Sequence, residues 1–144
     1  MRTSTVKPPA PTWHVVDVAG QSLGRVATRV AHVIRGKHRP TFSPHQLCGD
    51  HVILLNVEKL DVTPVKGRRK TYYHHTGRPS GMHSYSLTQM MERNPVQVME
   101  LAVKGMLPRN RLRNDMLRRL HVFTGAEHPY APQKPQSLDL STLL

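Results

Sequence analysis

Acidic residues are scarce in this chain. Nine Asp and Glu stand against 21 Lys and Arg over 144 residues, a formal charge of +12. That is well above the roughly 2 to 8 that solubility asks of a small domain, and it points to a polyanionic partner. Cysteine is nearly absent, and the single Cys48 cannot close an intramolecular bridge. A disulfide framework is therefore excluded, and the thiol is either idle or held in a reducing compartment. Long apolar runs are missing too: Val52 to Leu55 is far too short to span a bilayer. Aromatics make up only 5% of the chain, and no strongly amphipathic basic helix carries aromatic anchors, which argues against a membrane surface as the polyanion. Nucleic acid remains, because each phosphate neutralised releases condensed counterions. The plainer alternative is a soluble protein whose basic face is merely solvated.

What is present suffices for one folded domain. A hydrophobic content of 38% allows a real core without metal or disulfides. The N-terminal MRTSTVKPPAPT, residues 1–12, lacks both an apolar centre and a helical pattern and reads as a flexible arm rather than a targeting signal. Residues 13–128 read as a single α/β domain, and the Pro-rich 129–144 as an extended tail. WHVVDVAG predicts a buried strand and turn. From Leu23, the apolar Val26, Ala27, Val30, Ala31 and Ile34 recur at helical spacing between Ser22 and Gly36. HVILLNV predicts a strand covered on both faces, so the order strand, helix, strand implies a right-handed crossover and a parallel sheet. Leu60–Thr63 and Thr71–His74 are candidate short strands flanking a basic loop, Pro64 to Lys70. Two helices capped by Ser86 and Asn94 follow, the second opening on Pro95 and ending at Gly105 and Pro108; a last amphipathic segment covers roughly Asn110 to Leu120. The expected architecture is a small, mainly parallel sheet of about four strands with helices on both faces.

Enzymatic motifs are weak. The turn VDVAGQSLGRVA has neither GxGxxG nor GxxxxGK[ST] spacing. His45, Cys48 and His51 lie three apart, and His74 adjoins His75, but one thiol without a CxxC partner or an HExxH helix makes a poor zinc site. Asp50 and Glu100 lack a nearby second carboxylate or nucleophile in sequence. No catalytic residue, metal, cofactor or small-molecule substrate is expected. A nucleotide- or metal-dependent enzyme acting on nucleic acid, and a basic RNA-binding regulator, are the rival readings.

The basic stretches carry more. GRRKTYYHHTGRP places Arg68, Arg69, Lys70 and Arg78 beside Tyr72, Tyr73, His74 and His75 with no acid. Guanidinium forks suit phosphates, and flat rings suit an unpaired base or a ribose. If this is a strand, Tyr72 and Tyr73 point to opposite faces and one belongs to the core. In VKGMLPRNRLR, Lys104, Arg109, Arg111 and Arg113 surround the break at Gly105 and Pro108, with Arg118 and Arg119 shortly after. A proline-stiffened loop holds its cations ready and lowers the ordering cost of binding. Arg25 adds a cation on the outer side of the first helix.

Six segments in order, DVAGQSLGRVAT, IRGKHRPTFSPH, GDHVILLNVEKLDVT, YYHHTGRPSG, AVKGMLPRNRL and FTGAEHPYAPQKP, closely resemble the bacterial-type large-subunit ribosomal protein family numbered thirteen, from about Trp13 to Pro135. The resemblance implies a three-layer α/β/α domain that binds large-subunit ribosomal RNA, enters subunit assembly early, sits beside other large-subunit proteins and catalyses nothing. It implies RNA-facing blocks at Arg35, Lys37, His38 and Arg39, at Tyr72, His74, His75 and Arg78, and at Lys104, Met106, Pro108 and Arg109. The implied location is the large subunit of a cytoplasmic ribosome; an organellar ribosome is the alternative, although no transit peptide is evident. Two positions depart from the family: Arg113 stands where Gly or Ser is usual, and Pro64 follows Thr63 where Gly is usual.

Overall fold

Strand β1 (Trp13–Asp17) leads through a turn into helix α1 (Leu23–Arg35) and then strand β2 (His51–Leu55). The computed structural model describes residues 6–140; residues 1–5 of the expected arm and 141–144 of the expected tail lie outside the described residues. Helix α1 exists because its apolar stripe has somewhere to go: Leu23, Val26, Ala27, Val30, Ala31, Val33 and Ile34 are all buried. Each of the larger side chains contributes about 1.5 to 3 kcal/mol on leaving water. Ser22 stands at the N-cap with extended backbone but forms no side-chain cap bond, and Gly36 ends the helix in the left-handed region at φ 84°.

The main sheet has the order β5-β2-β1-β6, with every pairing parallel. Strand β5 (Leu120–Val122) follows the helical half, and β6 (Gln136–Ser137) comes from the tail, which thus supplies an edge strand beside β1. The register puts Val16, Val52, Leu54 and Leu120 on one face, where they join the core made with α1 and α4 (Pro95–Met106). Trp13, His51 and His121 share the opposite face. There the chain between β5 and β6 lays Tyr130 on Trp13, ring centroids 5.1 Å apart, just before a 3₁₀ turn at Ala131–Gln133. The architecture is α/β around a four-stranded parallel sheet.

Three local expectations change. Pro64–Arg69 is helix α2 rather than loop, with Pro64 in its first turn, where the missing N–H is no loss. Leu60–Thr63 contributes only an isolated parallel bridge, Ser22 with Asp61. Thr71–His75 is strand β3, but it pairs antiparallel with β4 (Met82–Ser86) in a separate two-stranded ribbon and not with the main sheet. The ribbon passes directly into α3 (Leu87–Arg93), whose start is a capping box: the Ser86 hydroxyl accepts from the Gln89 N–H, and the Gln89 side chain accepts from the Ser86 N–H. Asn94 caps α4 through its side-chain oxygen, which accepts from the Gln97 N–H. The amphipathic segment after α4 yields only the five-residue α5 (Arg113–Leu117) before β5 begins.

Candidate nucleic-acid interface

The loop from Gly36 to Asp50 is held by backbone packing. At Gly49 any Cβ would overlap the Ile34 carbonyl, and at Gly36 it would stand 2.6 Å from the Cys48 carbonyl carbon. Gly49 therefore delivers Asp50 into the interior, where it is 1% exposed. Its Oδ1 accepts from the Thr12 N–H at 2.7 Å and from the Arg39 guanidinium, and its Oδ2 from His38 Nε2 at 2.9 Å. Burial alone would raise the Asp50 pKa. The hydrogen bonds from His14 and Thr12, with the charge of Arg39, outweigh it and hold the carboxyl well below the usual carboxylate range. For His38, burial outweighs the attraction of Asp50 and the ring titrates below its ordinary value. At neutral pH the ring is therefore uncharged and donates from Nε2 to the carboxylate.

This network divides the first basic block. Arg39 is spent on Asp50 and on the Ala10 carbonyl, tying the chain before β1 to the loop. His38 is spent on Asp50, and the Arg35 guanidinium lies 5.4 Å from the centre of the Phe42 ring. Lys37 is exposed, as is Arg25 on α1.

The second block is α2 and the ribbon. Arg68, Arg69 and Lys70 are exposed at the end of α2, and His74, His75 and Arg78 are exposed on β3 and the turn beyond it. The turn closes on itself through the Thr76 N–H to the Gly81 carbonyl, 2.9 Å, and the Gly81 N–H to the Arg78 carbonyl, 3.0 Å. Tyr72 packs against the core while Tyr73 is 67% exposed, so the two rings do take opposite sides.

The third block begins where α4 ends. Leu107 is buried and plugs the core, and Arg113 folds back so that its Nε donates to the Pro108 carbonyl at 3.1 Å and its Nη2 to the Leu107 carbonyl at 3.3 Å. The loop is braced from within, which leaves Arg109 and Arg111 exposed on a fixed backbone. Lys104, exposed on the last turn of α4, shares a shallow depression with Glu100 and Arg118. Arg118 pairs with Asp115 at 3.4 Å across solvent, a contact of little energetic weight. Arg119 donates to the Gly49 carbonyl and so braces the first loop from β5.

Arg68, Arg69, Lys70, Arg78, Lys104, Arg109 and Arg111 thus form no ion pair among the described residues. The second and third blocks meet at one groove of about 820 Å³, whose walls include Lys66, Arg69 and Lys70 from the α2 side and Gly105 and Met106 from α4. Its floor is apolar: Val65, Leu101 and Met106 stand 57%, 38% and 45% exposed. Sequence reasoning misses this groove, since it puts Val65 in a loop and Leu101 within a helix read only from its Asn94 cap and its end at Gly105 and Pro108. It also misses Tyr85 and Arg93, which depend on the pairing of β3 with β4.

The enzymatic candidates are not assembled. Cys48 is buried with its Sγ 3.9 Å from the Thr41 and Ser43 carbonyls, and His51 stacks on Trp13 at 4.1 Å. No group of three or more His, Cys, Asp or Glu that could hold a metal occurs among the described residues. Asp50 is sealed by its partners, whereas Glu100 is exposed on α4. Among the described residues no helix is long and apolar enough to cross a membrane.

Comparison with known proteins identifies the family. A family described as "Ribosomal protein L13" matches residues 11–129. A "Large ribosomal subunit protein uL13" of Symbiobacterium thermophilum is 52% identical over 128 residues, covering 89% of this chain and 90% of its own. One from Bacillus cytotoxicus is 50% identical over 128 residues, 89% of this chain and 88% of its own. One from Pseudomonas aeruginosa is 46% identical over 142 residues, 97% of this chain and 100% of its own. With most of its length matched at this identity, the chain belongs to the ribosomal protein L13 family.

Proposed function

We propose that this chain is a structural, non-catalytic constituent of the large ribosomal subunit that binds large-subunit ribosomal RNA through its basic loops and supports early subunit assembly. The observation that carries the reading is the set of exposed arginines and lysines without carboxylate partners among the described residues, mounted on braced backbone at α2, the ribbon and the loop after α4. Contacts to phosphate supply most of the affinity, and the fixed spacing of the cations selects an RNA shape rather than a base sequence. The RNA-facing set is Arg25, Lys37, Arg68, Arg69, Lys70, Tyr72, His74, His75, Arg78, Lys104, Arg109, Arg111 and Arg118. Arg35, His38, Arg39, Arg113 and Arg119 act chiefly through the intramolecular contacts that hold the loops.

Neighbouring large-subunit proteins are the expected second class of partner. The apolar floor of the groove at Val65, Leu101 and Met106 suits a protein side chain better than a phosphate. The expected compartment is the cytoplasm. Sedimentation of a gentle lysate tests the reading: the protein is expected to travel with large subunits and their precursors. A protein that stays at the top of the gradient while intact subunits sediment contradicts it.

A further inference from the structure

We propose that the cleft between the ribbon and the corner joining α3 to α4 is a receptor for one splayed-out nucleotide of the bound RNA; this rests on the RNA-binding reading above. Tyr72 and Tyr85 are direct cross-strand partners in the ribbon and line a cleft of about 530 Å³. That volume falls in the range of roughly 300 to 1,000 Å³ usual for small-ligand sites. Arg93, Asn94 and Gln97 supply the opposite wall.

Three features match the parts of a nucleotide. Each ring carries a cation: Lys70 Nζ lies 5.1 Å from the Tyr72 centroid, and the Arg93 guanidinium 5.2 Å from the Tyr85 centroid. A ring with a cation over one face stacks a base on its other face and keeps the cation within reach of the phosphate. The Tyr72 hydroxyl is buried with no hydrogen-bond partner among the described residues, a costly state that a small shift of the side chain toward a bound nucleotide would relieve. Finally, the helix cap occupies the Asn94 side-chain oxygen and leaves its amide N–H groups to donate, while Gln97 offers both a donor and an acceptor. A base within a duplex keeps both faces covered, so the ligand must be an unpaired nucleotide in a loop or bulge.

Ultraviolet cross-linking of the full-length protein to RNA extracted from large subunits containing it tests this directly. After nuclease and protease digestion, a mononucleotide adduct is expected on the peptide carrying Tyr72 or the one carrying Tyr85. Tyr85→Ala is expected to weaken binding to the same RNA roughly 5- to 150-fold at a temperature well below a thermal midpoint that falls only slightly, and Tyr85→Phe to restore both. Adducts found only elsewhere, with undiminished affinity in Tyr85→Ala, overturn the cleft while leaving RNA binding intact. Failure of the unaltered protein to bind that RNA overturns both.

Discussion

Arg39 donates to Asp50 inside the protein, so the one acid buried among the described residues neutralises a cation that the sequence offers to RNA. The contact is a folding device. It ties the residues before β1 to the loop after α1 and leaves Lys37 as the exposed cation between Gly36 and His38.

Replacing Asp50 should consequently damage stability more than binding. Asp50→Asn leaves the partly buried Arg39 without a counter-charge and is expected to lower the unfolding free energy by about 2 to 4 kcal/mol. Urea denaturation reads this directly. A change below about 1 kcal/mol would show that the network contributes little.

Acid should act in the same direction. The folded Asp50 carboxyl titrates below its ordinary 3.8, so the stability it contributes is complete above that value and is lost as pH falls beneath it. His38, His51 and His121 titrate below their ordinary 6.5, mainly through burial. The unfolded chain therefore takes up these protons first, and stability declines as pH drops through 6.5 toward the lowered values. The urea midpoint should fall between neutral pH and about pH 5, before Asp50 titrates. A midpoint that rises over this interval contradicts the assignment.

Gly49→Ala is expected to be among the most damaging single-methyl additions in the chain. The new Cβ would overlap the Ile34 carbonyl, which is backbone within α1 and has no rotamer to yield. A loss of roughly 3 kcal/mol or more is expected in thermal or urea unfolding. Near-native stability would mean that the loop and α1 separate easily.

The arginines of the loop after α4 should divide by role. Arg113→Ala removes the bonds to Pro108 and Leu107 and is expected to cost about 1 to 3 kcal/mol of stability. Arg109→Ala with Arg111→Ala should leave the unfolding midpoint nearly unchanged and weaken RNA binding across different RNA sequences. Equal losses of stability in both variants would remove the distinction between brace and grip.

Much of this molecule is legible in its sequence, for reasons that are local. Helix α1 has an unbroken three-and-four spacing from Leu23 to Ile34, and β2 is a run of apolar residues with no helical length. Asn94 and Pro95 announce α4 through cap chemistry alone. The features that escape depend on distant partners. Strand β6 is two polar residues in a proline-rich tail and exists because β1 offers an open edge. Helix α2 buries only Gly67, so PVKGRR shows no apolar stripe. The aromatic cleft needs Tyr72 opposite Tyr85, a register that MHSYS does not advertise. Charge alone likewise does not separate Arg39 and Arg119, which brace the fold, from Arg109 and Arg111, which stand clear of it.

On the reading proposed above, exposed cations on braced loops grip the phosphates of large-subunit RNA. Its most direct test is the affinity for that RNA across a series of salt concentrations, compared between the unaltered protein and the Arg109→Ala, Arg111→Ala variant. Log affinity is expected to fall steeply and linearly with log salt, and the variant's slope to be shallower by about 0.7 to 0.9 for each phosphate that the missing guanidinium groups no longer neutralise. An affinity that barely changes with salt, or equal slopes for the two proteins, contradicts the account.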